Sequence, residues 1–288
     1  NKLFSYLFQV TTNTESAGIT TLILFLILSP PSNNLEIFGL VMTGIIAMAS
    51  KYIFTIDNKH IFNPVAIALV IISLAGYGGG LWWVANSLLL PIVIIIGLLI
   101  VRKVRRFPLF LSFLISSCAV FSISLLAKHT FSGNELISFF TSWPVIFFGT
   151  VMLTEPLTMP PTRNLQIAYG TIVGLIFASQ FHWGPLFATP EMALIIGNIY
   201  SYLVSPKQRL TLTLESKREL SPNIYHFSFQ SEQKLDFRAG QYLEWTLSVT
   251  KVDSRGNRRY FTIASAPSEG TIDLGIRISP QGSAFKQA

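Results

Sequence analysis

Arg258-Arg259-Tyr260-Phe261-Thr262-Ile263-Ala264-Ser265 decides how the rest of this chain is read. Aromatic and β-branched residues favour a pleated strand. Turn-forming Asp253-Ser254-Arg255-Gly256-Asn257 precedes the run and Ala266-Pro267 ends it. On a strand, Arg259 and Phe261 share one side of the pleat. A guanidinium there can pair bidentately with a pyrophosphate. The flat ring beside it can stack on a planar heterocycle, and the next hydroxyl or its amide can hydrogen-bond ring nitrogens. An amphipathic strand with two surface arginines would have the same composition, so the surroundings must decide.

Those surroundings are strand-like. Leu210–Glu215 alternates Leu with Thr, and Asn223–Gln230 places Tyr225, Phe227 and Phe229 on one face. Residues 237–245 form a turn entering a third strand, the octapeptide is the fourth, and Thr271–Ser279 is the fifth. Short strands at this spacing predict a small antiparallel barrel over residues 207–288. Gly282-Ser283 would then open a helix whose free amides and dipole can face a phosphate.

The octapeptide resembles the R-x-[YF]-[ST]-x-A-S fingerprint of the ferredoxin–NADP⁺ reductase family, and Ala239-Gly240-Gln241-Tyr242 is similar to its P-G-Q-Y segment. The resemblance implies non-covalent FAD. Arg259 would hold its pyrophosphate, Phe261 would stack on the isoalloxazine, and Thr262 would lie near the reactive nitrogen as the catalytic candidate. Tyr260, Ala264 and Ser265 complete the strand, and Gly282 and Ser283 match the second pyrophosphate contact. Many family members have Tyr where this chain has Phe261, so the ring is kept and the phenol is lost. In the family a nicotinamide-binding domain follows, and no Gly-rich loop of that sort occurs here. NAD(P)H, or a reduced protein, is the donor implied. No initiator Met or signal peptide stands at Asn1, and residues 282–288 read as the start of a helix. Both ends therefore read as cut from a longer protein.

The preceding residues differ in kind. Half of the whole chain is hydrophobic and only 12% is charged, with a mean hydropathy of +0.51; that composition predicts a membrane protein. Residues 1–206 form the expected membrane domain, with about eight apolar segments at 17–30, 35–50, 62–77, 81–101, 108–127, 136–153, 165–180 and 188–204. A perpendicular helix needs about 20 residues to cross the hydrocarbon core, which the fourth to sixth segments meet. The first three and the seventh are short enough to be tilted, interrupted or re-entrant. Asn63-Pro64 and Thr189-Pro190 read as helix caps followed by Pro at the first helical position. Trp82-Trp83 suit an interfacial belt, and Pro91 is expected to kink the fourth helix.

Basic residues follow one side. With the N-terminus inside, Lys2, Lys51, Lys59, Arg102, Lys103, Arg105, Arg106, Arg163, Lys207 and Arg209 are inner, against Lys128 outside. The positive-inside rule then places both ends and the barrel in the cytoplasm, as for an integral protein of a bacterial inner membrane in contact with the lipid bilayer. This topology explains the net charge of +7 without a nucleic-acid partner. Cys118 is the one cysteine and sits in an apolar run, so neither a disulfide nor a thiolate metal site within the chain is expected; no metal ligand set is assigned.

Haem would need paired histidines on facing helices. The four histidines are His60, His129 and His182 at segment ends or in loops, and His226 in the polar part, so no haem is expected. Lys51–Phe54 with Asn58–Ala66, and Phe147–Thr158, resemble the K-x-[LI]-F…N-x-x-[IF]-F-N-P-x-A and F-F-x-x-x-M-x-T-[DE]-P-x-T patterns of the RnfD/NqrB family of membrane flavoproteins. A helix cap and a proline-rich turn would be the plainer account of each. That family joins FMN covalently to a Thr in D-x-x-S-[GA]-A-T, and nothing here matches it, so no covalent FMN is expected. A second non-covalent flavin or a quinone is what this region could hold, with Asn63, Thr154, Glu155 and Thr158 as its membrane-site residues.

Taken together, these readings make a helical polytopic membrane domain followed by a small antiparallel β-barrel that binds FAD. The function implied is a membrane oxidoreductase passing electrons from a cytoplasmic donor through FAD to quinone or a partner redox subunit. A transporter-like membrane domain regulated by a flavin redox sensor, and a plain membrane anchor for a soluble reductase, are the alternatives.

Overall fold

A computed structural model of the protein describes residues 2–8, 14–56, 59–184, 186–205, 210–231, 235–247, 258–279 and 282–287. The turn at 253–257, Asn58, Lys207 and Arg209 lie outside them. The chain divides into two compact units, Asn1–Pro206 and Lys207–Ala288. The first is helical and the second holds small antiparallel sheets.

In the first unit, side-chain caps set helix starts. Short α1 (Lys2–Leu7) and α2 (Thr14–Ile27) precede α3 (Asn34–Ile53), where Asn33 accepts from the Glu36 amide. A hairpin of β1 (Thr55–Ile56) and β2 (Lys59–His60) leads to α4 (Pro64–Leu74). There the Asn63 side chain accepts from both the Val65 and Ala66 amides, and Pro64, lacking an N–H, occupies the first helical position. Then come α5 (Leu90–Val104), α6 (Phe107–Ala127) and α7 (Gly133–Thr141). A short α8 (Val145–Phe147) continues into a π-helical turn at Phe148–Met152. After α9 (Arg163–Phe177), the hairpin β3 (His182–Trp183) and β4 (Leu186–Phe187) leads to α10 (Pro190–Val204), capped by Thr189.

Two expected segments are built otherwise. Residues 81–89 are not helical. The Leu81 and Trp82 amides donate to Ile27 O at 3.0 and 2.9 Å, satisfying a carbonyl that the end of α2 leaves without an internal donor. Helix α5 therefore begins late, and Pro91 sits in its first turn instead of kinking its middle. Trp82 is 5% exposed, not a belt residue. The sixth segment is broken: α7 and Val145–Met152 are bent by 53°, with Pro144 at the break. Among the described residues, α3 and α6 are long and apolar enough to cross a membrane, with the bent pair a third if it acts as one span.

The helices meet through small residues. A Cβ on Gly170 would lie 2.6 Å from Leu109 O, and one on Gly174 2.6 Å from Phe113 O. Because 109 to 113 tracks 170 to 174, α6 and α9 run parallel. An aromatic cluster fills the space beside them, with Phe148 in contact with Phe113 and Phe177 at centroid distances of 5.4 and 4.9 Å.

In the second unit, β5 (Leu212–Ser221), β6 (Ile224–Ser231) and β9 (Ile272–Arg277) form one antiparallel sheet in that spatial order. Strands β7 (Tyr242–Thr246) and β8 (Arg258–Thr262) form a second, and α11 (Ala284–Gln287) is a single turn. The described strands thus make two sheets instead of one continuous barrel. Backbone bonds join them beyond β8, where Ala264 N donates to Asp273 O at 2.8 Å. Phe237, Ile263 and Ile272 form the core.

Gly174→Val should force a side chain against the Phe113 carbonyl and destabilise the helical unit by about 1–3 kcal/mol. The expected outcome is a lower thermal midpoint in detergent; an unchanged midpoint would refute the close α6–α9 contact.

Candidate functional site

Strand alternation sorts the candidate residues of the second unit. Arg259 and Phe261 are half-buried and Ile263 and Ser265 buried, whereas Tyr260, Thr262 and Ala264 are exposed. Arg259 pairs across the ladder with Trp245, Phe261 with Leu243 and Thr262 with Tyr242. The Phe285 ring of α11 lies 5.8 Å from Phe261, tilted 37°, and the Arg259 guanidinium stands 5.5 Å from that same ring. One cation and two aromatic rings therefore gather on one side of β8. Trp245, directly opposite Arg259, has a buried Nε1 with no hydrogen-bond partner among the described residues. A guanidinium, aromatic faces and a spare indole N–H fit a ligand that is both anionic and planar.

Not every strand residue is left for a ligand. Ser265 Oγ donates to Thr271 O at 2.8 Å and accepts from Asp273 N at 3.1 Å, so it braces β9. Tyr260 donates to Glu244 Oε2 at 2.5 Å on the opposite face from Phe261. The Gly282 amide donates to Ser279 O at 2.8 Å. Ser283 is buried, and its carbonyl accepts from the Lys286 and Gln287 amides. With α11 only one turn long, little helix dipole is available there.

The helical unit has its own constellation, centred on Glu155. Asn63 Nδ2 donates to Glu155 Oε2 at 2.8 Å, and Thr158 Oγ1 donates to the same oxygen at 3.2 Å. His60 Nε2 lies 3.1 Å from Glu155 Oε1. Asn63 N donates to Asn198 Oδ1 at 2.8 Å, and Asn198 Nδ2 donates to Tyr169 OH at 3.0 Å. Asn63, Thr158, Asn198 and Tyr169 are each at most 3% exposed, whereas the Glu155 side chain retains 25%. A carboxylate with this many donors is held in a fixed position, with one side still open.

Three of the four residues singled out in this region, Asn63, Glu155 and Thr158, come together. Thr154 does not join them: its hydroxyl donates back to Thr150 O at 2.6 Å within the preceding turn. His60, Asn198 and Tyr169 join the hub although no motif marked them, and only the rarity of polar residues in apolar runs could have flagged Asn198. Glu191 was missed in the same way. It is 4% exposed and accepts from Trp82 Nε1 at 3.3 Å.

Residues 211–287 match the family described as oxidoreductase FAD-binding domain. Residues 211–287 are therefore a domain of the oxidoreductase FAD-binding type. No curated protein sequence matches the chain. Among solved structures it is similar to the flavohemoglobin from Malassezia yamatoensis with bound FAD and heme, at 13% identity over 70% of this chain and 60% of that one, with a TM-score of 0.27. The chain thus spans about 60% of that protein's length, and a superposition this loose carries no argument.

Glu155→Leu should strand the Asn63, Thr158 and His60 donors, at about 1–3 kcal/mol for each buried group left unpaired. Glu155→Gln keeps an acceptor and should cost less. Thermal unfolding of both variants in detergent checks this; equal midpoints for wild type and Glu155→Leu would remove the hub from the account.

Proposed function

We propose that this chain is a membrane-embedded flavoprotein that passes electrons from a cytoplasmic donor, through FAD on its C-terminal unit, to an acceptor served by its helical unit. The gathering of Arg259, Phe261 and Phe285 on one side of β8, within the stretch that matches an FAD-binding domain, carries this reading. Bound FAD supplies the ability to accept two electrons and release them one at a time. The chain's own residues bind and orient. Arg259 pairs with the pyrophosphate, Phe261 sets the ring plane, and Thr262 supplies a polar group beside the reactive nitrogen. Phe261 and Thr262 face opposite sides of the strand, so a ring stacked on Phe261 meets Thr262 only at the strand edge. Gly282 and Ser283 are the candidates for a second phosphate contact.

The bilayer reading rests on an inverted surface. Ile95, Leu22, Ile115 and Ile123 are each about 60–70% exposed, while Thr43, Asn63, Ser117, Thr150 and Asn198 are at most 3% exposed. A fold that turns branched apolar chains outward and polar groups inward suits a hydrocarbon solvent. The cytoplasmic placement rests on the basic residues, and the parallel course of α6 and α9, the first preceded by Arg106 and the second begun by Arg163, agrees with it. Convergence of the two RnfD/NqrB-like stretches on Glu155 supports an acceptor-side role for Asn63, Glu155 and Thr158 towards a quinone, a second non-covalent flavin or a partner subunit. No haem and no covalent FMN form part of the reading; NAD(P)H or a reduced protein is the donor proposed.

The detergent-purified protein should show a flavin spectrum, and acid precipitation should release all the colour. A haem Soret band, or flavin retained on the pellet, would overturn the assignment. Arg259→Ala should weaken FAD binding roughly 10–100-fold, the equivalent of one lost charge-assisted hydrogen bond. Full flavin occupancy in that variant would displace Arg259 from the site.

A further inference from the structure

The corner between α5 and α6 concentrates positive charge. Arg102 and Lys103 lie in the last turn of α5, Arg105 follows it, and Arg106 precedes α6. Arg105 adopts a left-handed conformation, φ 58°, which non-glycine residues adopt at a cost. In that conformation its amide and that of Arg106 reach back to carbonyls of the final α5 turn, Arg105 N to Arg102 O and Arg106 N to Val101 O. The chain therefore reverses within two residues, and Arg102, Lys103 and Arg105 share one surface. Leu99, Arg102, Lys103 and Arg105 line an open cleft of about 610 Å³. Arg106 Nε is buried without a hydrogen-bond partner, and among the described residues no carboxylate pairs with any of the four. Charge gathered at such cost and left without counter-charge among the described residues is complementary to an external anion.

Its neighbourhood says what carries that anion. Ile92, Ile95, Ile96 and Leu99 leave α5 between 52% and 61% exposed on the approach to the cleft. An apolar helix face ending in a basic cleft matches a molecule with an acyl tail and an anionic head. We propose that this corner binds the phosphate headgroup of an anionic membrane phospholipid, with its chains lying along α5. The inference rests on the proposed bilayer reading and goes beyond it, since a membrane helix needs basic residues at its inner end but not a cleft.

The test uses the full chain purified in detergent, titrated with dioleoylphosphatidylglycerol or dioleoylphosphatidylcholine, with bound lipid counted by native mass spectrometry. The phosphatidylglycerol should bind about tenfold more tightly or better, and R102Q/K103Q should abolish most of that preference. Both side chains are exposed, so their replacement spares packing. The charge-preserving R102K should retain the preference, and raised ionic strength should weaken it. Equal binding of the two lipids, or a preference untouched by the double variant, overturns the proposal. So does displacement of the lipid by millimolar inorganic phosphate, which would make the cleft a site for a soluble anion. A chain that stays soluble on gentle lysis refutes the bilayer reading itself; a membrane-embedded chain without the lipid preference refutes only this site.

Discussion

The side chain of Asn63 is the joint on which the helical unit depends. Its oxygen starts α4 by accepting two amides, its nitrogen donates to Glu155, and its backbone amide is taken by Asn198 of α10. One residue thus ties a helix start, the turn after the π-helical segment and a third helix into a single network. Its residue is 3% exposed, so each unpaired group would carry a desolvation penalty of about 1–3 kcal/mol. Such a network tolerates little rearrangement.

Around that joint the packing follows from small residues and aromatic rings. Gly170 and Gly174 let α9 approach α6 to backbone contact, and Gly97 lets α5 close on the Thr150 side chain of the π-helical turn. The extra residue in that turn, seen in the Leu153 N to Phe148 O bond, advances the chain relative to a regular helix just before Glu155. Other branched side chains, such as Leu22, Ile95, Ile115 and Ile123, remain exposed on the outside of this packing. The basic corner after α5 belongs to that scheme, as the point where an apolar helix meets charge.

The C-terminal unit works on a different economy. Its core is small, built on Phe237, Ile263 and Ile272 with rings such as Phe229 and Trp245 packed against it. Much of its order comes from polar braces instead. Asp273 accepts from Ser228 at 2.7 Å and lies 3.2 Å from His226, while its amide donates to Ser265. These braces fix β9 beside the end of β8.

Much of this was legible from residues a few positions apart. The caps at Asn63 and Thr189, the alternation that puts Arg259 and Phe261 together, and the existence of most helices and strands depend on local chemistry, which neighbouring residues determine by themselves. The course of residues 81–89 was not legible, because those residues answer to a carbonyl of α2 more than fifty positions earlier. Nor was the hub: His60 and Glu155 are separated by 95 positions, and no local pattern says that they meet. Thr154 and Thr158 read alike in the sequence, yet one turns back to its own helix and the other reaches Glu155. Sequence alone determined which elements form and where polar groups interrupt apolar runs. Tertiary structure decided which of those polar groups share a partner, because that depends on helix register and the closeness that each glycine permits.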